Sequence, residues 1–165
     1  MAITANGMIA KENHETPFTS KADYESFKKI CFQTEAIICG HKTYDCIRED
    51  TEFFWPECHY FVISSDIPPS LPTNVSWIKY DPENNLKFIE DQGYKEVCIM
   101  GGGQTNASFL NAEVVDEIYL DVEPHIYLKG IPLFRPIDNF ETQLELIEVK
   151  NLSPQTVQLH YKVKK

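Results

Sequence analysis

Apolar and polar residues repeat with two different periods along this chain, and the changes of period mark its elements. Six short runs read as strands: Ala2–Thr4, Ala36–Cys39, Tyr60–Ser64, Val75–Tyr80, Glu96–Met100 and Glu117–Val122. Ala36-Ile-Ile-Cys39 is apolar without a break, the pattern of a strand covered on both faces. Three stretches between the strands carry a helical period. In Ser20–Phe32, Tyr24, Phe27, Ile30 and Cys31 fall on one stripe, and Ser20 stands where an N-cap belongs. Pro82–Asp91 opens with proline in its first turn and stops before Gly93, while Thr105–Leu110 follows a glycine triplet. The last two runs, Gln143–Val149 and Thr156–Val163, alternate apolar with polar and flank the turn Asn151-Leu-Ser-Pro-Gln155. They predict an antiparallel hairpin. The whole pattern predicts an α/β fold: a central mixed, mostly parallel sheet, helices on both faces and an antiparallel C-terminal hairpin.

Composition narrows the class. At 165 residues the chain is expected to form one domain, 1–165, with the turn-rich stretch Ile67–Asn74 as a surface loop inside it. A formal charge of −10 argues against nucleic-acid partners and requires any anionic ligand to be held by a local site. The chain has no run near the ~18 apolar residues of a membrane span, and its N-terminus lacks signal-peptide features, so a cytoplasmic protein is expected. Five cysteines without a CxxC pair read as free thiols in a reducing compartment. His14, His41, His59, His125 and His160 form no metal-ligand spacing with them, so no metal is expected.

Chemistry concentrates in three segments. In Glu96-Val-Cys-Ile-Met-Gly-Gly-Gly-Gln-Thr-Asn-Ala107 an apolar strand meets three glycines and then a helix start. Bare backbone lets a ligand approach, and a helix N-terminus offers free N–H groups to a phosphate. Asn106 breaks a GxGxxG fingerprint. Ile37-Ile-Cys-Gly-His-Lys-Thr-Tyr44 repeats the corner with one glycine, plus Lys42 and Thr43. Two such corners in one small sheet suggest a ligand with two phosphate-bearing ends, a dinucleotide. The third segment is Pro17–Phe27, where Asp23 and Phe27 stand four apart on one helix. An acid over an aromatic ring suits a flat heterocycle that must be held and protonated. Taken alone, Asp23 in the first turn after Ser20 is better explained by helix capping.

In order, Asn6-Gly-Met-Ile-Ala, Pro17-Phe, Ala22-Asp-x3-Phe-Lys-Lys, Gly40-His-Lys-Thr-Tyr, Val62-Ile-Ser-Ser and Ile99-Met-Gly-Gly-Gly resemble the dihydrofolate reductases. Val115-Asp-Glu-Ile-Tyr-Leu-x3-Pro124 and Gly130-Ile-Pro-Leu-Phe134 look more like the reductase domain of RibD, a riboflavin-pathway relative. The resemblance implies a three-layer fold and NADPH as hydride donor. It would place Gly40, His41, Lys42 and Thr43 on the pyrophosphate and Ser64 and Ser65 near the 2′-phosphate. Met100, Gly101, Gly102, Gly103, Gln104 and Thr105 would wrap the diphosphate, with Ile9 and Ala10 beside the nicotinamide. Asp23 would be the pterin-binding acid and Phe18 an active-site aromatic of a mobile loop, the lid Ala10–Thr16. Ala2, Phe27 and Asp121 would border the substrate.

The chain departs from the family pattern in five places. Cys58 stands where an arginine would bind the folate tail, and His41 and Gln104 stand where arginines are usual. Asn106 and Asp121 replace a tyrosine and a threonine. The reading favoured by Asp23 and Phe27 is reduction of dihydrofolate. A RibD-like reduction of a phosphoribosylated aminopyrimidine is the alternative, and a non-catalytic NADP(H)-binding module is a third reading of another class. Partners are expected to be small molecules, with the chain a monomer or a homodimer.

Overall fold

Strand β3, Ala36–Gly40, is the axis of the molecule, and Ala36 to Cys39 have no exposed surface. A computed structural model describes residues 1–50, 52–136 and 141–165. On one side β3 pairs in parallel with β4, His59–Ile63, which pairs in parallel with β5, Val75–Ile78. On the other side it pairs in parallel with β6, Cys98–Gly101. The unbroken apolar run of β3 thus reflects burial on both faces.

One face is covered by helices α1, Lys21–Thr34, and α2, His41–Ile47. Cys31, Tyr44 and Ile47 meet Ile37, Cys39, Tyr60 and Val62 there. The other face is covered by α3, Pro82–Asp91, and α4, Gly103–Asn111, whose Ile89 and Phe109 meet Ile38 and Phe61. These are the expected three layers. Ser20 caps α1 by accepting a 3.2 Å bond from the Asp23 N–H. Asp81 caps α3, with Pro82 in its first turn. At the end of α1, Glu35 takes the left-handed conformation, φ 56°, where glycine is the usual choice.

A second four-stranded set runs β1-β7-β10-β9, where β1 is Ala2–Thr4, β7 Glu117–Glu123, β9 Leu144–Asn151 and β10 Val157–Val163. β1 is parallel to β7, with Ala2 opposite Asp121, and the predicted β9–β10 hairpin is antiparallel. The mixed set is therefore divided. β6 and β1 are the facing edges of two sheets, with no ladder between them. Two strands escape the sequence pattern. β2, Met8–Ala10, pairs with β8, Ile131–Pro132, and both are too short to show a period. β2 also takes Ala10 out of the expected lid. The rest of that loop closes on itself, with Lys11 N–H to Glu15 O at 2.9 Å and a 3.6 Å ion pair between the same side chains. The five cysteines are free, four of them gathered about the α1 side of the sheet. Burial pushes the Cys39 thiol up to about 12, so it stays protonated and inert.

α4 starts inside the glycine triplet, two residues earlier than the pattern predicts, and Gly103 lies against the β8 backbone. A Cβ on Gly103 would collide with the Pro132 carbonyl. Gly103→Ala should lower stability by about 3 kcal/mol, because neither backbone can yield cheaply. Gly93→Ala meets no neighbour and should cost only about 1 kcal/mol through its φ of 98°. Urea unfolding of the two variants checks the ranking, and equal midpoints would contradict it.

Candidate functional site

β3 and β6 end side by side at the C-terminal edge of the parallel sheet, the edge where α/β folds bind ligands. Their turns interlock. A Cβ on Gly40 would stand 2.8 Å from Thr105 Oγ1, and Gly101 needs its positive φ of 101° to turn between strand and helix. The Gly101–Gly102 peptide is cis. Gly102 is less crowded: a Cβ there would make ordinary contact, 3.4 Å from Thr43 Oγ1 and 4.0 Å from Ile9 Cδ1. The structure thus brings Ile9, Gly40, Thr43, Gly101, Gly102 and Thr105 together, as expected for one site.

The first intrahelical bond of α4 runs from Asn106 N–H to Gly102 O at 2.9 Å, leaving the Gly103, Gln104 and Thr105 N–H groups free of helical partners. Asn106 itself is buried and donates to Leu133 O at 3.0 Å, so it locks α4 to the β8 segment. Lys42 is exposed at the first turn of α2. Arg135 was not singled out by any motif, yet its N–H donates to Gly103 O at 3.0 Å and its Cγ lies 3.5 Å from a Cβ on Gly103.

Other predicted cofactor residues are placed differently. His41 turns to Asp45, Nε2 to Oδ2 3.0 Å, and its ring meets Trp77 edge-on at 5.3 Å. Trp77 also meets Tyr44 at 5.4 Å. Met100 is packed in the core, because side chains alternate along β6 and its position faces α1 and α2. Ser64 and Ser65 follow β4 at the same sheet edge, with Ser64 Oγ accepting from Asp66 N–H at 3.1 Å. Ala10 is buried, its carbonyl against Gly130, and Gln104 is exposed.

On the other side of β1 lies a cluster of buried polar groups. Asp23, Asp121, Glu123, Thr156 and Gln158 are all at most 6% exposed. Gln158 Nε2 donates to Asp121 Oδ1 and Ser26 Oγ, each at 2.7 Å, and Thr156 Oγ1 donates to Glu123 Oε2 at 3.1 Å. Three carboxylate oxygens keep no partner: Asp23 Oδ1, Asp121 Oδ2 and Glu123 Oε1. Burial, then the negative charges of Asp121 and Glu123, push the Asp23 carboxyl up to about 7, against a lowering pull from the Met1 ammonium. Asp23 is therefore more than a cap: its N–H is bonded to Ser20 while its carboxyl turns inward. Asp121 lies beside it, with Ala2 opposite Asp121 in the β1–β7 ladder. Phe27, one turn on, leans on Trp55 at 6.0 Å. Phe18 is 3% exposed and sits edge-on to Tyr127 at 5.6 Å, so it is sealed rather than lining an opening. Cys58 is sealed too, donating to Cys31 O at 3.7 Å, with its thiol pushed up to about 11 by burial.

Glu123, Gln158 and Ser26 escaped motif reasoning. The signal for the first two was the period of two, which sets Glu123 on the face of Asp121 and Gln158 opposite it. Among the described residues, no group of three or more His, Cys, Asp or Glu could hold a metal ion, and no helix is long and apolar enough to cross a membrane.

The sequence model of the family described as dihydrofolate reductase matches residues 1–142. The uncharacterized protein YyaP of Bacillus subtilis (strain 168) is 22% identical over 172 residues, spanning 98% of this chain and 91% of its own. Among solved structures, a Shewanella sp. PV-4 protein described as a riboflavin biosynthesis protein matches with TM-score 0.81 at 20% identity, over 100% of this chain and 97% of that one. A Thermotoga maritima diaminohydroxyphosphoribosylaminopyrimidine deaminase/5-amino-6-(5-phosphoribosylamino)uracil reductase matches with TM-score 0.77 at 14% identity. That match covers 99% of this chain and 55% of the Thermotoga one. At these identities the structural likeness is one of fold.

The raised carboxyl at Asp23 makes stability depend on pH. Folding raises its pKa from an ordinary 3.8 to about 7, so the folded chain holds a proton that the unfolded chain releases. The stabilisation is complete below about pH 4 and drains away as pH rises through 7, by up to about 4 kcal/mol at about 1.4 kcal/mol per unit. Asp23→Asn should flatten that decline and be more stable than the parent at pH 8, as measured by urea unfolding across the range. Superimposable profiles would show that Asp23 titrates normally.

Proposed function

The chain belongs to the dihydrofolate reductase family, and from that premise we propose that it is an NADPH-dependent reductase of an amino-substituted pyrimidine carrying a ribose phosphate. This is the substrate class named for the Thermotoga protein. The observation that carries the reading is the pair of unpartnered oxygens on Asp121 and Glu123, set beside an Asp23 carboxyl raised to about 7. Buried acceptors demand donors, and an aminopyrimidine presents ring N–H and exocyclic amine donors in one plane. Dihydrofolate, favoured by motifs alone, fits less well. Its glutamate carboxylate calls for a cation, and the position aligned with that cation is Cys58, closed inside the core. The RibD-like alternative therefore becomes the main reading.

The residues of the glycine corner fit a dinucleotide, since the free amides of α4, the uncrowded Gly102 and the start of the Arg135 side chain meet there. When bound, NADPH supplies the hydride. The free N–H groups at the start of α4 would hold the diphosphate, with Lys42 and Arg135 supplying local positive charge against a chain of net charge −10. Asp121, oriented by Gln158, accepts from an amine of the substrate. Asp23, its carboxyl raised to about 7, would supply a proton to the substrate atom that gains the electron pair when the hydride is delivered.

Loss of NADPH absorbance with 5-amino-6-(5-phosphoribosylamino)uracil, its diamino analogue and dihydrofolate separates the readings. Turnover is expected with a pyrimidine ribotide and not with dihydrofolate; the reverse would overturn the proposal. NADPH binding without turnover of any of the three would make the chain a binding module. Asp23→Asn should lower the rate about 100-fold or more at neutral pH. Lys42→Ala and Arg135→Ala should each weaken NADPH about tenfold, a loss of ~1.4 kcal/mol, with little change in turnover at saturation.

A further inference from the structure

Three carboxyls share one buried pocket, and their hydrogen-bond partners are unequal. Asp121 Oδ1 accepts from Gln158 Nε2 at 2.7 Å, and Glu123 Oε2 accepts from Thr156 Oγ1 at 3.1 Å. Among the described residues no N–H or O–H group donates to the Asp23 carboxyl, which has that of Asp121 within hydrogen-bonding reach.

Both donors belong to β10, and both are held in place by neighbours. Gln158 Nε2 also donates to Ser26 Oγ at 2.7 Å, so the amide bridges β7 to α1 one turn beyond Asp23. Thr156 has a single O–H, and it is committed to Glu123. The Thr156 oxygen therefore accepts from Ser153 Oγ at 3.1 Å and from Ser20 Oγ at 3.2 Å. Ser20 Oγ in turn accepts from the Asp23 N–H at 3.2 Å. A directed chain thus runs from the positive end of α1 through two hydroxyls to Glu123, starting at the main chain of Asp23 and bypassing its carboxyl. Donated hydrogen bonds favour the ionised form of a carboxyl, and a buried carboxyl without them keeps its proton more readily. The charges acting on Asp23 are those of Asp121 and Glu123 on β7 and the Met1 ammonium ahead of β1. β10 faces the pocket with the neutral Thr156 and Gln158, and His160, next on that face, is bonded to Glu117 at 2.9 Å.

We propose that Thr156 and Gln158 are positioning residues that hold negative charge on Glu123 and Asp121 and so confine the proton of the pocket to Asp23. The pocket then presents one O–H, on Asp23, and two acceptor oxygens, Asp121 Oδ2 and Glu123 Oε1. A ligand edge with one acceptor and two donors matches that pattern, whereas one with the roles reversed sets buried acceptors against acceptors. The use of this proton in turnover rests on the reductase reading; its placement does not.

Carbon NMR of the side-chain carboxyls, titrated without substrate or nucleotide, reads the placement. In the parent, the step near pH 7 should appear on Asp23 alone. In Gln158→Leu it should be shared between Asp23 and Asp121 and move up by about one pH unit, the size of one lost hydrogen bond to a charged group. Ser26→Ala, a milder change that only frees the Gln158 amide, should move it the same way by less. Thr156→Val should draw Glu123 into the step, and Thr156→Ser, which keeps the hydroxyl, should restore the parent pattern. With NADPH and a pyrimidine ribotide, the pH at which kcat has fallen to half should move with the step in each variant. A step borne equally by Asp23 and Asp121 in the parent overturns the proposal. So does a step that stays on Asp23 alone in both Gln158→Leu and Thr156→Val, or a Thr156→Ser variant that behaves as Thr156→Val does. Carboxyl titrations as expected without reduction of any ribotide would retire the reductase reading and leave the placement of the proton standing.

Discussion

Two parallel strands that end side by side and both turn into helices cannot both keep side chains at the turn. That steric constraint, met at Gly40 and Gly101–Gly103, is what the rest of the molecule depends on. With Thr105 pressed against Gly40 and the Pro132 carbonyl against Gly103, α2, α4 and β8 converge on one corner. Most of the glycines are thus demanded by the protein's own backbone. Of the four glycines at the corner, Gly102 is the least crowded, with ordinary contact to Thr43 and Ile9 alone.

The convergence fixes the reading of the site from its two halves. On the corner side, cations are few, and Arg135 is brought there because α4 and the segment after β8 are hydrogen bonded to each other. On the far side of β1, three carboxylates are buried with only part of their hydrogen-bonding capacity used. Sustained burial of such groups is unfavourable unless they stay protonated or meet donors. A donor-rich heterocycle and a proton shared near Asp23 meet both conditions, so binding and protonation draw on the same electrostatic strain.

Much of this was legible in the residues, and the failures have physical causes. Ser20, Pro82 and Gly93 mark helix ends because their capping chemistry is local. β3 and the terminal hairpin are visible because burial on two faces or on one leaves different periods. β2 and β8 are too short for any period. Glu35 hides the end of α1 by taking a conformation that usually belongs to glycine. For the site, the glycines and Asp23 are legible, since their chemistry is written at single positions. Glu123, Gln158 and Arg135 gain meaning only from cross-strand register or from contact between distant segments. His41 and Phe18 show the converse: positions that match a motif while their side chains are engaged elsewhere, by Asp45 and by Tyr127.

The chain contains two tryptophans, and they stand on unequal ground. Trp55 is sealed in the core, whereas Trp77 packs on His41 and Tyr44 beside the first turn of α2. One indole is thus stationed next to the corner, while the other packs on Phe27, one turn from Asp23. A reduced nucleotide bound at the corner as proposed would take up Trp77 emission by energy transfer, so the emission would report its arrival.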